Sequence, residues 1–130
     1  FVRFDTAMRE ERARSADDPA SQMRAAERGY VTFATSNPAL FRLMFTTPLI
    51  NWEEPALHLP ARAAQAQLSE ICAPAADDLG LDTPEQRQVL ERLVWSQIHG
   101  QAHLIIDHKM PVNPESMREA PIDLAGLLFR

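Results

Sequence analysis

The chain has 130 residues, 45% hydrophobic and 24% charged, the balance of a globular protein, which excludes disordered and fibrous classes. Acidic residues exceed basic ones by 18 to 13, for a net charge of −5, and no Lys/Arg run follows a phosphate backbone, so DNA binding by these residues themselves is not expected. Its single cysteine, Cys72, cannot form a disulfide within the chain, and no apolar stretch reaches the ~20 residues that span a bilayer, which predicts a cytoplasmic protein without a membrane partner.

The length fits one domain over residues 1–130. The first residue is Phe1 rather than methionine, and Phe1, Phe4 and Met8 read as one side of a helix entered partway. A segment upstream is therefore expected, with residues 1–16 as a connecting helix. Four prolines follow residues that can cap a helix: Asp18-Pro19, Asn37-Pro38, Thr83-Pro84 and Asn113-Pro114. Proline at the first helical position loses no hydrogen bond, and the preceding side-chain oxygen accepts from an orphan amide. Thr83-Pro84-Glu85-Gln86 predicts a full capping box.

From Pro19 to Asn37, Met23, Ala26, Tyr30, Phe33 and Ala34 share one stripe, predicting an amphipathic helix. Ala39 to Phe45 is apolar nearly all round and predicts a short central helix surrounded by others. Thr46 to Pro60, with Pro48 and Pro55, reads as a connection around Trp52. A helix from about Pro60 to Leu79 follows, kinked or ended early by Pro74 and capped by Gly80. Met110 to Pro121 reads as a loop before a last short helix from Ile122 to Phe129, and no stretch alternates at strand spacing. The fold class is all-α, a helical bundle.

Pro84 to His108 predicts the longest helix and the most informative one. Val94, Trp95, Ile98, Ala102, Ile105 and Ile106 form one apolar stripe, and Val89, Leu93, Gly100 and Leu104 a second. A helix apolar on two sides has to be covered on two sides, which predicts a homodimer with Leu93 and Leu104 in its interface. Leu124, Leu127 and Leu128 of the last helix would complete a four-helix contact. The competing arrangement is a helix at the centre of a monomeric bundle. Gly100 costs about 1 kcal/mol against Ala in a helix interior, which predicts a backbone or ring crossing close by.

The run Val94-Trp95-Ser96-Gln97-Ile98-His99-Gly100 resembles the Trp-x-x-x-His-Gly signature of a subgroup of tetracycline-repressor-like (TetR) regulators, the Trp-His-Gly subgroup. Upstream, Tyr30-Val31-Thr32-Phe33-Ala34 and Asn37-Pro38-Ala39-Leu40-Phe41-Arg42-Leu43-Met44-Phe45 are similar to that subgroup's aromatic-Ala, Asn-Pro and Met-Phe stretch. The resemblance implies a helical domain that binds a small apolar effector and dimerises, preceded by a helix-turn-helix domain that is absent here and would make the contact with operator DNA. Residues 1–15 would then transmit effector binding to the DNA-reading domain. No catalysis and no obligatory cofactor are implied.

Ligand cavities are mostly apolar with a few orienting polar groups. Phe33, Phe41, Met44, Phe45, Trp52 and Trp95 are candidates to line one, with His99 and His103 as polar members; plain core is the simpler explanation of any one of the six apolar residues. Trp95, if fully buried, would cost about 3–5 kcal/mol on truncation to Ala. His99, His103 and Asp107 recur at every fourth position, and a helical metalloprotein using them is one alternative, with Glu54, His58 or Asp77 as further ligands. The plainer reading is a core hydrogen bond for His99 and partial solvation for His103 and His108, with no metal. A purely structural dimer module is the other alternative. No Gly-rich phosphate loop, His-Glu-x-x-His or Gly-x-Ser-x-Gly motif is present, so no enzyme is indicated.

Overall fold

The computed structural model describes residues 1–46, 51, 53–110 and 123–129. Six helices follow in order: α1 Val2–Ala13, α2 Pro19–Ser36, α3 Pro38–Met44, α4 Pro55–Asp78, α5 Pro84–Ile106 and α6 Leu124–Leu128. Among the described residues there is no strand. The expected loop from residue 111 onward, the Asn113-Pro114 cap and Trp52 lie outside the described residues.

The helix starts follow the capping chemistry read from the sequence. Asp18 accepts from the Ser21 amide at 2.9 Å. Thr83 accepts from Gln86 N–H at 3.2 Å while the Gln86 side chain accepts from Thr83 N–H at 3.2 Å, so the capping box closes in both directions. Asn37 departs from the pattern: its side-chain amide donates back to the Phe33 carbonyl at 3.2 Å and caps nothing in α3. Gly80 ends α4 with φ +69°, and the bonds from Leu81 N to Ala76 O and Gly80 N to Asp77 O form a Schellman motif. His108 takes the corresponding left-handed position after α5, at φ 55°.

Two expectations about the elements are corrected, and one finds no counterpart among the described residues. First, α4 begins at Pro55 rather than near Pro60, and both Pro60 and Pro74 lie inside it. Each proline removes the donor for the carbonyl four residues back, but Ala56 and Glu70 are exposed, so water can take the donor's place. Second, the central helix is α2, not α3. α2 packs against α1, α3, α4, α5 and α6, and buries Ala25 and Val31 as well as the predicted stripe. α3 buries only Phe41 and Met44 and leaves Leu43 exposed, because it reaches the core through one face. Third, among the described residues nothing outside its own helix backbone lies within 4 Å of where a Gly100 Cβ would stand, so they supply no crossing backbone or ring there.

Gly29 is where the close approach occurs. A Cβ on Gly29 would stand 2.7 Å from Met8 Cα and 2.9 Å from Ala7 O, so α1 and α2 touch backbone to backbone. Because the obstacle is main chain, Gly29→Ala has to part the helices. The expected cost is about 1–3 kcal/mol of overpacking, outweighing the ~1 kcal/mol that Ala gains in helix propensity. Urea denaturation showing equal or greater stability for Gly29→Ala would contradict this packing.

The two stripes of α5 have different fates. Leu90, Val94, Ile98, Ala102, Ile105 and Ile106 are buried in the subunit. Val89, Leu93 and Leu104 are 57%, 64% and 42% exposed, so the second stripe faces away from the core. In α6, Leu127 is exposed, whereas Leu124 and Leu128 pack in part on the core of their own chain.

Candidate functional site

A cavity of about 400 Å³ opens between α1, α2, α4 and α5, with the residue after α3 at one edge. α1 contributes Phe4 and Met8, α2 contributes Ala26 and Tyr30, and Phe45 follows α3. α4 supplies Ala61, Ala64, Leu68 and Ile71, small and medium side chains spaced along one helical face. α5 supplies Trp95, Ile98 and His99. Among the described residues, no Asp, Glu, Lys or Arg side chain lines the space.

The amides at the wall differ in availability. Gln65 is exposed at the rim. Gln67 is 1% exposed and fully engaged: Arg12 Nη1 donates to its Oε1 at 3.1 Å, and its Nε2 donates to the carbonyl and Oδ1 of Asp5. One cavity-wall side chain thus ties α4 to the first and last turns of α1. Arg12 also reaches Gln22 on α2 and Glu70 on α4, at 3.1 and 3.0 Å.

The polar end of the cavity is a chain of aromatic donors and acceptors. Trp95 Nε1 donates to Tyr30 Oη at 3.2 Å, Tyr30 Oη meets His99 Nδ1 at 2.6 Å, and His99 Nε2 meets His103 Nε2 at 3.1 Å. The rings of Phe45 and His99 stand edge to face at 4.5 Å between centroids, and Phe41 packs on both His99 and His103. Burial, reinforced by His103, pushes His99 down to about 4, so its imidazole is neutral at pH 7. Burial also holds the Tyr30 hydroxyl well above its ordinary range, so it stays protonated.

Of the residues singled out from sequence, Phe45, Trp95 and His99 line the cavity. Phe33, Phe41 and Met44 are buried in the core instead, and His103 reaches the cavity only through His99. Trp95 is not the fully buried core residue whose truncation would cost 3–5 kcal/mol: it is 40% exposed, standing at the rim with its indole N–H on Tyr30. The sequence reading missed Phe4, Met8, Tyr30 and the α4 wall as lining residues. The signal for α4 was present in the spacing of Ala61, Ala64, Leu68 and Ile71, but small residues on one face also describe ordinary helix packing.

The His99–His103–Asp107 ladder separates at its last member. Arg42 Nη2 donates to Asp107 Oδ1 at 2.7 Å, drawing that carboxylate toward α3 and holding it below the usual carboxylate range. Among the described residues, no group of three His, Cys, Asp or Glu side chains is arranged to hold a metal ion. Cys72 is buried and its thiol is pushed up to about 12, so it offers no thiolate. Among the described residues, no helix is long and apolar enough to cross a membrane. Residues 23–124 match the family model described as Tetracyclin repressor-like, C-terminal domain, while no curated protein and no solved structure matches the chain.

Proposed function

The chain belongs to the tetracycline-repressor-like C-terminal domain family, and from that premise we propose that it is the ligand-sensing and dimerisation domain of a transcription regulator, a repressor of the Trp-His-Gly subgroup acting in the cytoplasm without catalysis. The observation that carries this reading is a cavity whose described lining holds no charged side chain and whose wall on one side is α1. A small apolar effector entering it presses directly on Phe4 and Met8. Residues 1–16 then act as the connecting helix, passing that displacement to a preceding helix-turn-helix domain that contacts operator DNA. The effector shifts the DNA-binding equilibrium only by its difference in affinity between the two α1 positions.

The exposed α5 stripe supports the homodimer. Val89, Leu93 and Leu104 are large apolar side chains in water on the isolated chain, and Gly100 lies between Leu93 and Leu104 with open space at its Cβ. A second copy of α5 crossing at Gly100 accounts for both features, with Leu127 of α6 at the edge of the contact. The subgroup signature also acquires a physical meaning: Trp95 and His99 share Tyr30 between them, and Gly100 turns toward the partner.

Thermal-shift titration with neutral aromatic compounds tests the sensing role. Stabilisation that rises with the logarithm of ligand concentration above the dissociation constant is expected, and Ala64→Phe, which places a ring in the cavity, should abolish it. A broad set of such compounds that leaves the unfolding midpoint unmoved would sink this reading.

A further inference from the structure

The Trp95–Tyr30–His99–His103 chain accepts two arrangements of its hydrogens, and they present different faces to the cavity. An indole N–H only donates, so Tyr30 Oη accepts from Trp95 in either case. In the first arrangement the Tyr30 hydroxyl donates to His99 Nδ1, and the His99 hydrogen sits on Nε2 and points to His103 Nε2. Every hydrogen between these groups then has an acceptor, and none is offered to the cavity. In the second, His99 carries its hydrogen on Nδ1 and donates to Tyr30 Oη, while His103 Nε2–H donates to His99 Nε2. The Tyr30 hydrogen is then released into the cavity. Both arrangements satisfy the same distances and carry the same charge, because each imidazole exchanges one neutral tautomer for the other, the His103 hydrogen moving from Nδ1 to Nε2 as the His99 hydrogen moves from Nε2 to Nδ1.

We propose that the cavity selects a neutral, flat, largely apolar molecule bearing one accepting oxygen of the ketone class, and that Tyr30 reads this oxygen through a tautomer exchange at His99. The inference rests on the cavity being the effector site. Selection follows from desolvation: a carbonyl brought into these walls loses its water, and an unmet acceptor is disfavoured unless a donor replaces that water. Gln67 supplies none, since both its amide hydrogens lie on Asp5. Tyr30 is buried, lines the space and has its hydroxyl already bridged to His99. A pure hydrocarbon leaves the first arrangement in place, whereas a ketone draws the second.

Fluorenone and fluorene, rigid molecules of nearly one shape differing at a carbonyl, are the probes. Tyr30→Phe should weaken fluorenone about tenfold while leaving fluorene within about twofold. On the unaltered protein, ¹⁵N spectra of the His99 ring should show the hydrogen moving from Nε2 to Nδ1 with fluorenone and staying with fluorene, which keeps the test independent of how Tyr30→Phe folds. Equal losses for both probes, or a His99 pattern unmoved by bound fluorenone, would overturn the tautomer reading while leaving the cavity as a binding site. Failure of both probes to bind would overturn the site and its selectivity together.

Discussion

With Leu93→Glu and Leu104→Glu combined, the protein is expected to sediment as a monomer at concentrations where the unaltered chain is a dimer. Both leucines already face water in the single subunit, at 64% and 42% exposure, so carboxylates there disturb little of the fold. In the proposed contact the two-fold axis puts both positions of both copies in the interface, which would bring four carboxylates into a desolvated contact. Loss of the four leucines alone removes on the order of 6 kcal/mol of apolar burial, about four decades in dissociation constant, before repulsion is added. Gly100→Leu should act in the same direction, since among the described residues a Cβ there meets nothing outside its own helix backbone within 4 Å. An unchanged sedimenting mass for the double variant would remove the α5 stripe from any interface.

Glu27 predicts the largest change in stability with pH. It lies on α2 at 1% exposure, and among the described residues neither carboxylate oxygen has a hydrogen-bond partner. Burial, with the nearby Asp123 carboxylate adding to it, pushes Glu27 up to about 8, against the opposing pull of Arg24 and Arg28. Arg24 is itself committed to both oxygens of Asp123, at 3.0 and 3.2 Å. Because the folded value lies above the unfolded one, the stabilisation of the neutral form is complete below about pH 4.5 and is lost as pH rises through about 8. Glu27→Gln keeps the shape and removes the titration. Relative to the unaltered chain, it should be close to neutral at pH 5 and more stable by on the order of 3 kcal/mol at pH 9. Urea denaturation at several pH values measures this, and parallel pH dependences for the two proteins would refute it. His99 acts with the opposite sign: its lowered value means stability present above about pH 6.5 and lost as pH falls toward 4. The fold is therefore penalised on the alkaline side by α2 and on the acid side by α5.

What could be read in advance was what local chemistry decides. The Thr83 capping box, the Asp18 cap, the Gly80 terminus and the division of α5 into two stripes depend on residues within a few positions of one another. The cavity depends on four helices failing to fill the space between them, and the period of no single helix contains that information. Trp95 illustrates the difference. Its spacing with Val94 and Ile98 places it beside the core stripe, yet the cavity leaves its ring at a rim rather than in packed interior. Glu27 was equally hidden, since a charge between Ala26 and Arg28 reads as solvated until α6 is known to pack on α2. The prominence of α2 has the same origin: its five neighbours bury Ala25, Glu27, Gly29 and Val31 beside the predicted stripe, while Arg24 and Thr32 stay in water.

The main-chain contact at Gly29 governs how α1 can respond to an occupant. A rod pinned near its middle tilts instead of sliding, and Met8 stands close to the midpoint of a helix about 18 Å long. Pressure on Phe4 at one end should therefore swing Arg12 at the other in the opposite sense, straining its bonds to Gln22, Gln67 and Glu70. On this geometry α1 behaves as a seesaw, with a bare glycine as its fulcrum.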